Sequence, residues 1–139
     1  MKQQEMKAII DKYIQAYNSF DIDSMLALMH DEVEFKNISG GNINMTTKGI
    51  NDFRSAAEQA KNLFVTRCQK VAENEFENDT ATIAIDYEGV LRADIPGGPK
   101  AGERLILKGR SVFEFKDDKI VSLCDYSQES QRTIASTIF

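Results

Sequence analysis

The chain has 139 residues, 42% hydrophobic and 28% charged, with a formal net charge of −5. That length suits a single domain with a real core over residues 1–139, and the composition excludes a disordered chain. No apolar run approaches the roughly 20 residues of a membrane span, and the acidic balance argues against a nucleic-acid footprint. The first ten residues, MKQQEMKAII, carry no apolar signal-peptide core, so a cytoplasmic location is expected.

Met6, Ile9, Ile10, Tyr13, Ile14 and Tyr17 recur at helical spacing and predict an amphipathic helix over about residues 3–19. Tyr13 and Tyr17 read first as core packing, but each hydroxyl needs a partner if buried. Asn18-Ser19-Phe20-Asp21 breaks this helix. Asp23 is the expected N-cap of a short second helix, Ser24 to Met29. His30-Asp31-Glu32 reads as a turn. Val33, Phe35 and Asn37 then alternate with Glu34 and Lys36, which gives a strand with Asn37 on its apolar stripe. Asn37 is either a strand-end residue before Ser39-Gly40-Gly41-Asn42 or a polar group set into the core. A short edge strand near Met45-Thr46 follows. Gly49 leads into a third helix, Ile50 to Lys61, with Ile50, Phe53, Ala57 and Ala60 on its apolar face.

Four long strands complete the chain. Val65 to Glu77 and Asp79 to Asp94 meet at a tight turn, Asn78-Asp79. Ile83, Ile85, Tyr87 and Gly89 share one face, and Gly89 signals a bend or bulge. Pro96 to Gly102 reads as a flexible connection at the sheet end, either a lid or merely a loop. Gly102 to Tyr126 is a long hairpin turning at Asp117-Asp118-Lys119. Leu105, Leu107, Ser111, Phe113 and Phe115 fall on its inner face, followed by Val121, Leu123 and Asp125 on the return strand. A carboxylate in line with Val and Leu breaks the local pattern, and such breaks mark functional candidates. Ile134 to Phe139 forms an apolar tail.

Segregated helices and strands indicate an α+β fold. The expected architecture is a cone-shaped, curved, mostly antiparallel sheet of four long strands plus a short N-terminal pair, wrapped around three helices. Ala84, Val90, Ile106 and Val112 interrupt the charged convex face, so a homodimer through the sheet is expected. Cys68 and Cys124 read as free core thiols. There is no CxxC, HExxH or GxGxxG, and His30 is the sole histidine; no metal or organic cofactor is expected.

The element order, with AYNSFDIDSMLALMHDEVEF near the start and GRSVFEFKDDKIVSLCDY near the end, resembles the nuclear transport factor 2-like superfamily. Within it the chain is similar to the SnoaL-like polyketide cyclase, ketosteroid isomerase and limonene epoxide hydrolase group. The resemblance covers nearly the whole chain. Against the isomerases, the helix tyrosine matches Tyr13, but the base position holds Asn37 and the acid of the oxyanion hole falls on Ser111. Asn37 cannot take a proton, so steroid isomerisation is not implied. Against the epoxide hydrolases, the aspartate base of a DY motif matches Asp125-Tyr126, and a water-holding asparagine matches Asn37. The neighbouring tyrosine position holds Phe35, and the arginine and acid positions fall on Tyr87 and Gly89. Arg92 and Asp94 form an RxD near the rim.

The expected site is therefore Asp125 as general base, Asn37 positioning water or substrate, and Tyr13 as hydrogen-bond donor. Tyr17, Met29, Phe35, Phe53, Tyr87, Leu107, Ser111 and Phe113 would surround a small apolar molecule. Two functions fit: isomerase, cyclase or hydrolase chemistry on that molecule, or non-catalytic binding of a small ligand or of a second copy.

Overall fold

The alternating and helical patterns fold as their periods dictate. The computed structural model describes residues 1–95 and 98–127. Among these, α1 (Gln3–Asn18), α2 (Ile22–Ala27) and α3 (Ile50–Lys61) accompany six strands. The strands are β1 (Met29–Ser39), β2 (Asn42–Lys48), β3 (Phe64–Glu77), β4 (Thr80–Leu91), β5 (Arg104–Lys116) and β6 (Lys119–Ser127). They form one sheet in the order β2-β1-β6-β5-β4-β3. Every pairing is antiparallel except β1 with β6. The sheet is curved and does not close, and the expected α+β architecture is the one observed.

The stripe Met6, Ile10, Tyr13, Ile14 and Tyr17 seats α1 against the sheet, each side chain under 9% exposed. At about 1.5–3 kcal/mol per buried large apolar side chain, this burial and not intrinsic propensity holds a 16-residue helix. Asn18 ties its end to the outer edge of β3: its amide donates to the Gln69 carbonyl at 3.1 Å, and Gln69 N–H donates to its side-chain oxygen at 2.7 Å. β3 is an edge strand, and this clamp satisfies backbone that would otherwise be unpaired.

Several local expectations shift. The second helix starts earlier, because Asp21 and not Asp23 is the N-cap; its carboxylate accepts from Ser24 N–H at 3.1 Å. His30 to Glu32 lies inside β1, where the register against β6 slips between Met29 and Glu34. The tight bend expected there survives as a local bond from Glu32 N–H to His30 Nδ1. Val121 is the bulged residue of β6, so Ile120 takes the inward position beside Leu123. The Asp117-Asp118 turn adopts positive φ at both residues, as a two-residue hairpin demands. Cys68 is exposed and Cys124 half-buried; both are free, and neither is a core thiol. Arg92 and Asp94 do not pair: Arg92 Nε donates to the Phe64 carbonyl, and Asp94 accepts from Ala101 N–H. Pro96, Gly97 and the tail Ile134 to Phe139 lie outside the described residues.

No helix among the described residues is long and apolar enough to cross a membrane. On the convex face Ile106 is 74% exposed, between half-buried Val90, Ala84 and Val112.

Gly89 is not a bulge. It pairs regularly with Leu105 on one side and Arg67 on the other. Its constraint is the buried Phe64 ring, whose Cε1 would lie 2.9 Å from an added Cβ. Gly89→Ala should therefore destabilise the protein by about 1–3 kcal/mol, read from urea unfolding. Adding Phe64→Leu should recover part of that loss. A Gly89→Ala protein as stable as wild type would remove this account.

Candidate functional site

The register of the sheet carries Asn37, Asp125 and Ser111 into one row. Asn37 on β1 is the cross-strand partner of Asp125 on β6, and Asp125 is the partner of Ser111 on β5. Met45 and Ile83 flank the row on β2 and β4. Inward alternation along each strand buries all three polar side chains, at 0%, 3% and 2% exposure. The hydroxyl of Ser111 donates to an Asp125 carboxylate oxygen at 2.6 Å. Tyr126, next in the DY pair, points the other way and lies under the Arg110 guanidinium.

Burial pushes the Asp125 carboxyl up to about 7, against the Ser111 hydrogen bond, which favours the charged form. Asp125 therefore exchanges its proton near neutrality. Both amide atoms of Asn37 are buried without a hydrogen-bond partner among the described residues. Each such group costs about 1–3 kcal/mol if left unsatisfied, so a water or a ligand atom is the natural complement.

Two tyrosines of α1 stand over this row. Tyr13 packs edge-on against Phe113, with ring centroids 5.7 Å apart. Tyr17 packs edge-on against Tyr87, and the two hydroxyls are 3.0 Å apart. Burial above all, and then the Asp125 charge, raises the Tyr13 pKa. Burial also raises Tyr17, against the Arg67 charge, and raises Tyr87. The three phenols therefore remain protonated donors at neutral pH.

A cavity of about 270 Å³ lies between the helices and the sheet. Tyr13, Tyr17, Met25, Phe35, Phe53 and Arg67 contribute to its wall. Its volume is close to the lower end of the ~300–1,000 Å³ of small-molecule sites. Four residues anticipated from sequence, Tyr13, Tyr17, Phe35 and Phe53, line it. Seven others do not. Asp125, Asn37 and Ser111 form the polar row, and Phe113 lies against Tyr13. Tyr87 holds Tyr17, Met29 is core at the start of β1, and Leu107 is a half-buried residue packed on the core. Tyr13 connects the two sets: it lines the cavity and feels the Asp125 charge.

Arg67 is the charged residue among the wall positions that sequence reasoning missed. Counting back in twos from the half-buried Val71 reaches Gln69 and Arg67, and both are 4% exposed. The signal was present but polar, so hydrophobic alternation passed over it. A register slip at Val65 then puts Phe64 in and Val65 out.

The residues 10–123 match the model of the SnoaL-like domain. No curated protein matches the chain. TsrD from Streptomyces laurentii has a similar structure, with a TM-score of 0.76 at 18% identity over 91% of this chain and 90% of that one. A protein of ketosteroid isomerase-like fold from Catenulispora acidiphila, solved with trimethylamine, gives 0.74 at 14% identity over 94% and 93%. A protein from Xanthomonas campestris pv. campestris, provisionally named a polyketide cyclase, gives 0.72 at 22% identity over 89% and 90%. At these identities the likeness is one of fold. With the family match spanning most of its length, the chain belongs to the SnoaL-like domain family, on the nuclear transport factor 2-like fold.

Proposed function

We propose that the chain is a general acid–base catalyst acting on a small, largely apolar molecule held in the cavity. Cyclase, isomerase or hydrolase chemistry on a cyclic ketone, lactone or epoxide is the reaction class. The observation that carries this reading is the row itself: a buried carboxyl that titrates near neutrality, set between a serine and an amide with no partner. Asp125 takes a proton from water or from an acidic C–H. Asn37 positions the water or the substrate oxygen. Tyr13, protonated and common to cavity and row, donates to developing negative charge.

One observation favours a second reading. The cavity wall includes Tyr13 and Phe35 but not Asp125, which is the arrangement of a site that binds without reacting. A ligand would then stabilise the fold by about 2.7 kcal/mol at a hundredfold excess over Kd, with no product formed. A second copy seated over Ile106 on the convex face belongs to the same proposal; Ile106→Glu should then yield monomer in sedimentation, whereas unchanged mass would remove that interface.

The carboxyl makes two readouts specific. In a screen of cyclic ketones, lactones and epoxides, Asp125→Asn should lower turnover by about 10²–10⁴-fold at unchanged circular dichroism. The wild-type rate should rise with pH and level off above about 7. Full activity in Asp125→Asn would end the catalytic reading.

Stability should titrate too. Asp125 holds its proton up to about 7 when folded, but only to about 4 when unfolded. Between those values the folded state binds more protons, so stability falls as pH rises, by about 4 kcal/mol at most. Above 7 this contribution is constant. Asp125→Asn lacks the titration, so its stability relative to wild type should increase from pH 4 to 7 in denaturant unfolding. A flat difference would show that the carboxyl is not held protonated.

A further inference from the structure

Arg67 is a buried cation in an apolar wall. It is 4% exposed on the inner face of β3. Its Nε donates to the Tyr17 backbone carbonyl at 3.0 Å. Its guanidinium carbon lies 3.7 Å from the centroid of the Tyr17 ring and 4.6 Å from that of Phe20. These contacts hold the guanidinium in place, but they do not neutralise it. Among the described residues no Asp or Glu forms an ion pair with Arg67, and its Nη2 is buried without a hydrogen-bond partner. A buried charge is normally paired, since desolvation otherwise costs several kcal/mol.

The cavity is where a counter-charge can come from. Arg67 lines it together with Phe35, Phe53 and Met25. With Nε engaged by the Tyr17 carbonyl, the two Nη groups are what the guanidinium has left for a planar, two-oxygen anion, whose geometry matches such a pair of donors. Apart from Gln59 and the hydroxyls of Tyr13 and Tyr17 the rest of the wall is apolar, so the anion must carry apolar bulk. A bare phosphate or chloride would gain nothing from that surface.

We propose that Arg67 is a carboxylate-binding residue and that the cavity takes small cyclic organic acids, with the carboxylate at Arg67 and the ring against Phe35 and Phe53. The inference rests on the cavity being a ligand site, and not on the part Asp125 plays. It also gives the site two ends. Tyr13 and Tyr17 each feel the Arg67 and Asp125 charges with opposite sign. An acid anchored at Arg67 would present its ring, and not its charge, to the polar row.

Calorimetric titration of the full chain tests this with matched pairs. Benzoate, cyclohexanecarboxylate and 2-naphthoate are each compared with the corresponding amide, which keeps the shape and loses the charge. At least one acid should bind about tenfold or more tightly than its amide, the size of a charge-assisted hydrogen bond. Arg67→Gln should bring that ratio to about one at an unchanged far-ultraviolet spectrum. Loss of the Tyr17 carbonyl contact alone would lower stability but not move the ratio. If the variant does not fold, the wild-type ratio decides. Amides that bind as well as acids would overturn the inference and leave the ligand site standing. An acid preference that persists in Arg67→Gln would also overturn it. Binding of no acid and no amide would overturn the ligand site and the inference with it.

Discussion

The packing of α1 across the concave face is the contact on which the rest of the molecule depends. Tyr13 on Phe113 and Tyr17 on Tyr87 seal the sheet from water. That seal leaves Asp125 in a low-dielectric surrounding, where a carboxylate is costly to form. It also supplies the backbone carbonyl that orients Arg67. An exposed helix on a flat sheet would leave both groups hydrated and unremarkable as acid or base. Curvature matters for the same reason, because it lets a single helix cover residues from three strands, β3, β4 and β5.

A cation, Arg67, and a carboxyl that ionises only near neutrality, Asp125, are both buried in this fold, and no ion pair joins them among the described residues. An ion pair would have quenched both, and would have made the site a structural bridge. Instead the tyrosines of α1 stand between them, as protonated dipoles that respond to each. This separation is expensive in stability, because neither group gains a partner of opposite charge. Such local violations of packing rules concentrate where a molecule does its work.

The fold was legible because its signals are strong ones. Period-two alternation in β5 and helical spacing in α1 each place large side chains, and burial rewards them heavily. The turn residues Asp117 and Asp118 fixed the hairpin. The inward carboxyl was legible because Asp125 stands where Leu123 sets the phase. What escaped reading came from bulges and polar strands. Val121 changes the phase of β6 by one residue, and no residue type announces it. In β3 two successive inward positions, Arg67 and Gln69, are polar and a register slip separates them from Phe64, so apolar alternation does not reveal the inner face. Asp21 over Asp23 as N-cap is a two-residue boundary shift of the ordinary kind. The cavity wall depends on how α2, α3 and β3 meet, and no single segment encodes that meeting.

The parallel pairing of β1 with β6 has a consequence for the polar row. These strands are separated by most of the chain, and every other pairing joins neighbours in sequence. Closing that long loop carries the largest chain-entropy cost of any pairing in the sheet. Asn37 and Asp125 face each other across this seam. The β5–β6 hairpin by itself brings Ser111 to Asp125, but Asn37 joins the row only across the β1–β6 seam. Without that seam β1 and β6 would each present an open edge. The one pairing between strands distant in sequence is thus the one that completes the polar row.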